Sequence, residues 1–244
     1  MTTPTRRPWL LEGLVIVLSI LLAFGIQAWW DDLSEAREET RLLEAVASEV
    51  RANLKILEGE ILYQAASVES SRAVLELAGA EREALSAARA DTLIAETSWW
   101  SGVEWQTGAI DALTAGGQLS SISSEVLRYI LISFPAQMAE VRTVEAQEAA
   151  FFADVFMPLV RREAWLPQIS NALTARPGST VPYPVAQLPA PAMSRDHRSL
   201  LLSDEFQNAI LQKLWIHTDV LSEYEDFRAA LEALLVEIEA EIPS

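Results

Sequence analysis

Residues 13–30 read GLVIVLSILLAFGIQAWW, and this run dictates where the chain can sit before any other feature is considered. Residues 14–24 carry no charge, and Ser19 is the lone polar side chain among them. With Trp9, Leu10 and Leu11 the segment covers 9–30, about 22 residues, which as a helix span roughly 33 Å and cross a bilayer core. Trp9 stands at one end and Trp29 and Trp30 at the other, where an interfacial aromatic belt belongs. Glu12 and Gln27 lie near the ends, where polar groups reach water. A cleaved secretory signal needs a shorter apolar core and small residues at the cut, and Gln27-Ala28-Trp29-Trp30 is a poor site. Arg6 and Arg7 faintly resemble a twin-arginine export signal, but paired arginines more simply orient a helix. The flanking tryptophans argue against a buried core helix.

Arg6, Arg7 and the amino terminus precede the span, while Asp31, Asp32 and Glu35 follow it and Arg37 is the first base beyond. By the positive-inside rule residues 1–8 are expected as a cytoplasmic tail and residues 31–244 outside the cytoplasm. That outer part holds most of the acid. The chain has 18 Lys plus Arg against 35 Asp plus Glu, a formal net charge of −17. Such a charge disfavours nucleic acid and anionic lipid head groups, both of which need a basic patch. Cysteine is absent, which excludes disulfides, thiol catalysis and thiolate metal sites. His197 and His217, the two histidines, are too few for a His-rich metal centre.

The outer part reads as all-α, since no segment alternates with period two between turn signals. Residues 31–78 predict one long helix with the stripe Leu43, Val46, Val50, Leu54, Leu57, Ile61, Val68 and Leu75, stopped by Gly79. Nothing separates it from the span, so one helix can run through both. Residues 81–89 and 92–97 predict short helices, the second capped by Asp91, and Thr107 caps another that Gly116 and Gly117 end.

A second long helix starts behind Ser123. Its seam is Leu127, Leu131, Phe134, Met138, Val141, Glu145, Glu148, Phe152, Val155 and Leu159, and Pro135 and Pro158 are expected to kink or divide it. Residues 176–198 form a proline-rich loop. The last helix runs from Asp204, behind a Ser203 cap, to Glu241, with Phe206, Ile210, Leu214, His217, Leu221, Tyr224, Phe227, Leu231, Leu234 and Ile238 as its stripe. The expected architecture is a single N-terminal transmembrane helix continuing into an elongated antiparallel helical bundle with coiled-coil-like seams.

Three blocks carry a family likeness: the apolar entry from Glu12-Gly13-Leu14 to Trp29-Trp30, ALTAGGQLSSISSEVLRYIL at 112–131, and LLLSDEFQNAILQKL at 200–214. With these the chain resembles an uncharacterised family of short bacterial single-pass membrane proteins with a helical outer domain of unknown function. The resemblance implies a bacterial inner membrane location with a periplasmic domain, and it implies no activity.

No P-loop, GxGxxG, G-x-S-x-G or HExxH is present, so no catalytic residue, cofactor site or metal site is expected. His197 beside Asp196 reads as exposed loop polarity, and His217 as a core histidine with a hydrogen-bond partner. Acid pairs such as Asp31-Asp32 read as a solvated helix face. Trp99, Trp100 and Trp105 read either as a plug closing one end of the bundle or as an aromatic wall for a ligand or partner. Gly116, Gly117 and the serines up to Ser124 read as a plain helix–turn–helix connection, with an anion cradle as the alternative. In the span, Glu12, Ser19, Ala23 and Gln27 share one face about 80° wide, a candidate contact with another helix in lipid.

With about eight residues before the span and a C-terminal LEALLVEIEAEI too acidic to insert, any signal is expected to pass through a partner. The expectation is a membrane-anchored helical interaction or scaffold module without catalysis, acting on a protein partner or a second copy. The alternative is an extracytoplasmic small-ligand-binding domain using residues 99–124. A pocket lined by the tryptophans would favour the alternative, and an exposed apolar seam the first reading.

Overall fold

The computed structural model describes residues 8–77, 79–173 and 193–242. The tail expected at 1–8 lies, except for Pro8, outside the described residues, as does most of the proline-rich loop expected at 176–198. Among the described residues the protein is all-α and has no strand.

Helix α1 (Pro8–Leu75) is unbroken for 68 residues, about 100 Å. Its first part is apolar and bare: Leu14 to Ile26 and both tryptophans at 29 and 30 are exposed. Burial begins at Leu43 and then follows 43, 46, 50, 53, 57, 60, 64, 67, 71 and 74, steps of three and four without a break. This corrects the expected stripe. Leu54, Ile61 and Leu75 are only partly covered, and Asn53, Glu60, Gln64, Ser67 and Ser71 are buried in their stead. Gly79 is not the stop either, because α1 ends at Leu75 and Gly79 opens α2 (Gly79–Glu83).

Helix α3 (Ala87–Thr97) is continuous and begins behind Ser86, whose hydroxyl accepts the Arg89 N–H at 3.1 Å. Asp91 therefore lies inside a helix and caps nothing. Helix α4 (Gly108–Ala115) does start after Thr107, but the Thr107 hydroxyl donates to Asp111 at 2.7 Å. The free N–H groups of α4 go instead to Glu49 of α1, Ala109 N at 2.7 Å and Ile110 N at 3.2 Å. Gly117 takes a left-handed φ of 73°, and a 3₁₀ turn (Gln118–Ser121) leads to α5 (Glu125–Phe151). Ser124, not Ser123, caps α5. Ser123 turns its N–H and hydroxyl to the Glu39 carboxylate, at 2.6 to 2.8 Å.

Pro135 stays inside α5 without dividing it. Ahead of Pro158, which has no N–H to give, the chain widens into a π-helical turn (Phe152–Phe156), where Met157 N–H reaches back to the Phe152 carbonyl, and continues as α6 (Met157–Glu163). The wide turn shifts the register. Phe151 and Phe156 are buried, whereas the expected Val155 is 42% exposed. The remaining elements are α7 (Leu166–Ala172), α8 (Arg198–Leu201) and α9 (Asp204–Glu241), the last capped by Ser203 as expected.

Helix α9 packs on both α1 and α5. Arg51 meets Glu239 at 2.7 Å and Gln64 meets His217, so numbers fall on α9 as they rise on α1. Glu39 meets Ser123 and Gln64 meets Glu148, so α1 and α5 rise together. The apolar core is in two pieces. One joins Leu43 to Leu57 of α1, Leu127 to Val141 of α5 and Val220 to Ile238 of α9. The other joins Val74, α3, Phe151 to Val160, and Leu200 to Ile210.

Candidate functional site

Between the two apolar pieces each long helix puts polar side chains on its seam. From α1 come Glu60, Gln64 and Ser67, from α5 Glu145 and Glu148, and from α9 Lys213 and His217. Ala209 aside, the buried positions of α9 run 206, 210, 213, 217, 220, 224, 227, 231, 234 and 238, alternating steps of four and three. The expected stripe had Leu214 and Leu221 where Lys213 and Val220 are in fact buried.

Lys213 is 2% exposed, and so is His217. Lys213 Nζ donates to His217 Nε2, His217 Nδ1 donates to Gln64 Oε1, and Gln64 Nε2 donates to Glu148 Oε2 at 2.8 Å. All donors point one way, from the ammonium through two neutral groups to the carboxylate. That order requires the imidazole to be neutral with its proton on Nδ1. The electrostatics agree. Burial drives the His217 pKa well below its usual value, and the Lys213 charge adds to the effect. Burial lowers Lys213 to about 8, against the pull of Glu148. Burial raises Glu148, opposed by the Gln64 bond and the Lys213 charge. The Tyr63 hydroxyl, on α1, lies 3.1 Å from the Trp99 carbonyl and 3.4 Å from Glu148 Oε1.

One turn away on α5, Glu145 Oε1 accepts from Tyr224 at 2.7 Å and from Trp105 Nε1 at 3.0 Å. Burial raises its pKa, and these two bonds oppose the rise. Burial also raises the Tyr224 phenol, so it remains a donor. A cavity of about 250 Å³ opens beside this layer, lined by Trp100, Ser101, Gly102, Arg142, Glu145 and Tyr224 among others.

The three tryptophans have separate neighbours. Trp99 is buried, and its Nε1 has no acceptor among the described residues. Trp100, 51% exposed, stacks on Phe152 with centroids 6.1 Å apart. Trp105 sets its edge against Phe227 at 5.5 Å and Tyr224 at 6.0 Å. Comparison with protein families, with curated proteins and with solved structures finds no match.

His197 is not exposed loop polarity. It is 2% exposed, and its partner is Asp91 of α3, with Nδ1 2.7 Å from Asp91 Oδ1. Its Nε2 accepts the Trp165 N–H at 2.9 Å. Gln168 of α7 donates to Asp91 Oδ2 at 2.6 Å and to the Arg195 carbonyl at 2.9 Å. Both ring nitrogens are engaged, so this is a clamp holding residue 197 onto α3 and α7. Sequence neighbourhood pointed to Asp196, which instead binds Arg198.

The glycine-serine segment is a connection whose Ser123 donors already hold the Glu39 carboxylate. Among the described residues no group of three or more His, Asp or Glu is arranged to hold a metal. Glu12, Ser19, Ala23 and Gln27 are exposed on α1, and the Ser19 hydroxyl donates to its own helix at Val15 O, 2.8 Å.

Proposed function

We propose that the protein is a membrane-anchored helical interaction or scaffold module with no catalytic activity of its own. The carrying observation is on α1. Leu14, Val15, Ile16, Val17, Leu18, Ile20, Leu21, Leu22, Phe24 and Ile26 are 50 to 66% exposed, on a helix whose later turns bury one continuous face. A helix this long and apolar is suited to a bilayer. Each such residue favours insertion by about 0.3 to 0.6 kcal/mol. In this reading α1, α5 and α9 form an elongated bundle in which α9 runs antiparallel to the other two, outside the inner membrane of a bacterium, with the N-terminus cytoplasmic. Exposed apolar positions on α5, with Tyr129 at 75% and Ile132 at 60%, support an interaction role.

The test uses the cysteine-free chain. Ala65→Cys and Ser222→Cys, both exposed positions, react with an impermeant maleimide in intact spheroplasts, and the protein stays in the membrane after alkaline carbonate extraction. Release by carbonate, or labelling only after lysis, overturns the anchor or its orientation. A photo-crosslinking residue at Tyr129 gives a discrete adduct in cells, and absence of any adduct along the exposed face of α5 overturns the interaction role.

The cavity beside Trp100, Ser101 and Gly102 favours one second reading, a small-ligand site. Its test is a thermal-shift screen of small amines and carboxylates, in which Glu145→Gln removes any shift found.

A further inference from the structure

Helix α5 carries a second seam that this chain leaves open. Tyr129, Ile132, Ala136, Ala139, Thr143, Ala146 and Ala150 follow steps of three and four, and all seven are exposed. No charged residue stands among them. The seam lies opposite the one that α5 turns to α9, and its alanines leave a shallow groove of about 540 Å³ between Pro135 and Ala150. An uncharged stripe of this spacing and length offers a second helix a seam to pack on.

We propose that this seam pairs with the same seam of a second copy, parallel and in register. The inference rests on the membrane-anchored reading, since two copies tethered in one bilayer point the same way and meet at high effective concentration. The flanking charges are compatible with that direction. With Tyr129, Ala136, Thr143 and Ala150 as a positions, the parallel pair sets Arg128 against Ser133, Arg142 against Gln147, Asp154 against Ala149 and Glu140 against Pro135. No like charges meet. Of the two antiparallel registers that keep six layers, one sets Arg142 against Arg142 and Glu140 against Glu140, and the other sets Glu140 against Ser133 and Arg142 against Pro135 with no like pair, so the shared tether sets the direction. Alanine at four of seven positions lets the two backbones come close.

The test is disulfide scanning of the full chain in membranes. In parallel register each position faces itself, within the roughly 4.4–6.8 Å Cα separation that a disulfide needs. Single Ile132→Cys, Ala136→Cys, Ala139→Cys and Ala146→Cys proteins form disulfide dimers on mild oxidation, at least fivefold more than Ser222→Cys on α9. Ala139→Arg abolishes dimers trapped at position 132 and leaves the thermal melt unchanged, because residue 139 is exposed. Cross-linking only between mixed Ile132→Cys and Ala150→Cys chains overturns the register. Equal cross-linking at 222 and along the seam overturns the pairing. In the Tyr129 photo-crosslinking experiment an adduct of twice the chain mass supports self-pairing. An adduct of another mass keeps the interaction role and overturns self-pairing, and no adduct overturns both.

Discussion

Lys213 donates to the imidazole of His217 one turn further along α9, and neither side chain reaches solvent. A buried ammonium is tolerated there because the hydrogen-bond chain ends on Glu148. Removing one end of such a pair leaves an uncompensated charge, which costs about 3 kcal/mol or more. Lys213→Met should therefore destabilise by about that amount in urea unfolding followed by circular dichroism. Adding Glu148→Gln should recover part of the loss, with a coupling of about 1–3 kcal/mol. Strict additivity of the two substitutions would show that the ends are not coupled.

The same lysine sets a pH dependence. Its pKa is about 8 when folded, against the ordinary 10.5 of the unfolded chain. Between these values the unfolded state holds a proton that the folded state has lost, so stability rises with pH from about 8 to 10.5. The rise should be missing in Lys213→Met. The raised values of Glu148 and Glu145 act with the opposite slope on the acid side, where stability falls as pH climbs from 4.5 through their folded values. Denaturation midpoints across pH measure both slopes.

The Asp91–His197 clamp should govern the segment that leads into α8. His197→Ala strands the Trp165 N–H and the Asp91 carboxylate, and should cost about 1–3 kcal/mol. Amide exchange across 193–203 should accelerate. Asp91→Asn keeps an acceptor for Nδ1–H and should be milder. Equal exchange in His197→Ala and the parent protein would rule out the clamp.

Two caps of α4 make opposite predictions. Glu49→Ala removes the acceptor of two N–H groups and should cost about 1–2 kcal/mol. Thr107→Ala should change stability by no more than about 0.5 kcal/mol, since its hydroxyl serves Asp111. Thermal melts of the two variants distinguish a cap supplied by α1 from a local one.

In the apolar part of α1, close approach of a second helix depends on small side chains. Ala23→Ile should weaken self-association in a membrane two-hybrid assay, and Leu22→Ile, about 100° around the helix, should be nearly neutral. Equal tolerance at 22 and 23, with insertion unchanged, would leave the segment a plain tether.

The all-α class, the unbroken α1 and the Ser203 cap were legible from local patterns, because helix period, caps and apolar runs act within a few residues of one another. The candidate site was only half legible. His217 reads from the sequence as a buried histidine, whereas the apolar stripe takes Leu214 and the structure buries Lys213. Choosing the apolar neighbour follows transfer energies of single side chains. Burial of Lys213 instead depends on Gln64 and Glu148, 149 and 65 positions away in the chain, arriving at the same height. Likewise Asp91 found His197 across 106 residues, and Glu49 capped α4 across 60. What the chain by itself determined is which stretches become helices and which stretch suits lipid. Only the packed structure decided which face of each helix turns inward, because that choice is made by partners whose distance in sequence no local pattern records.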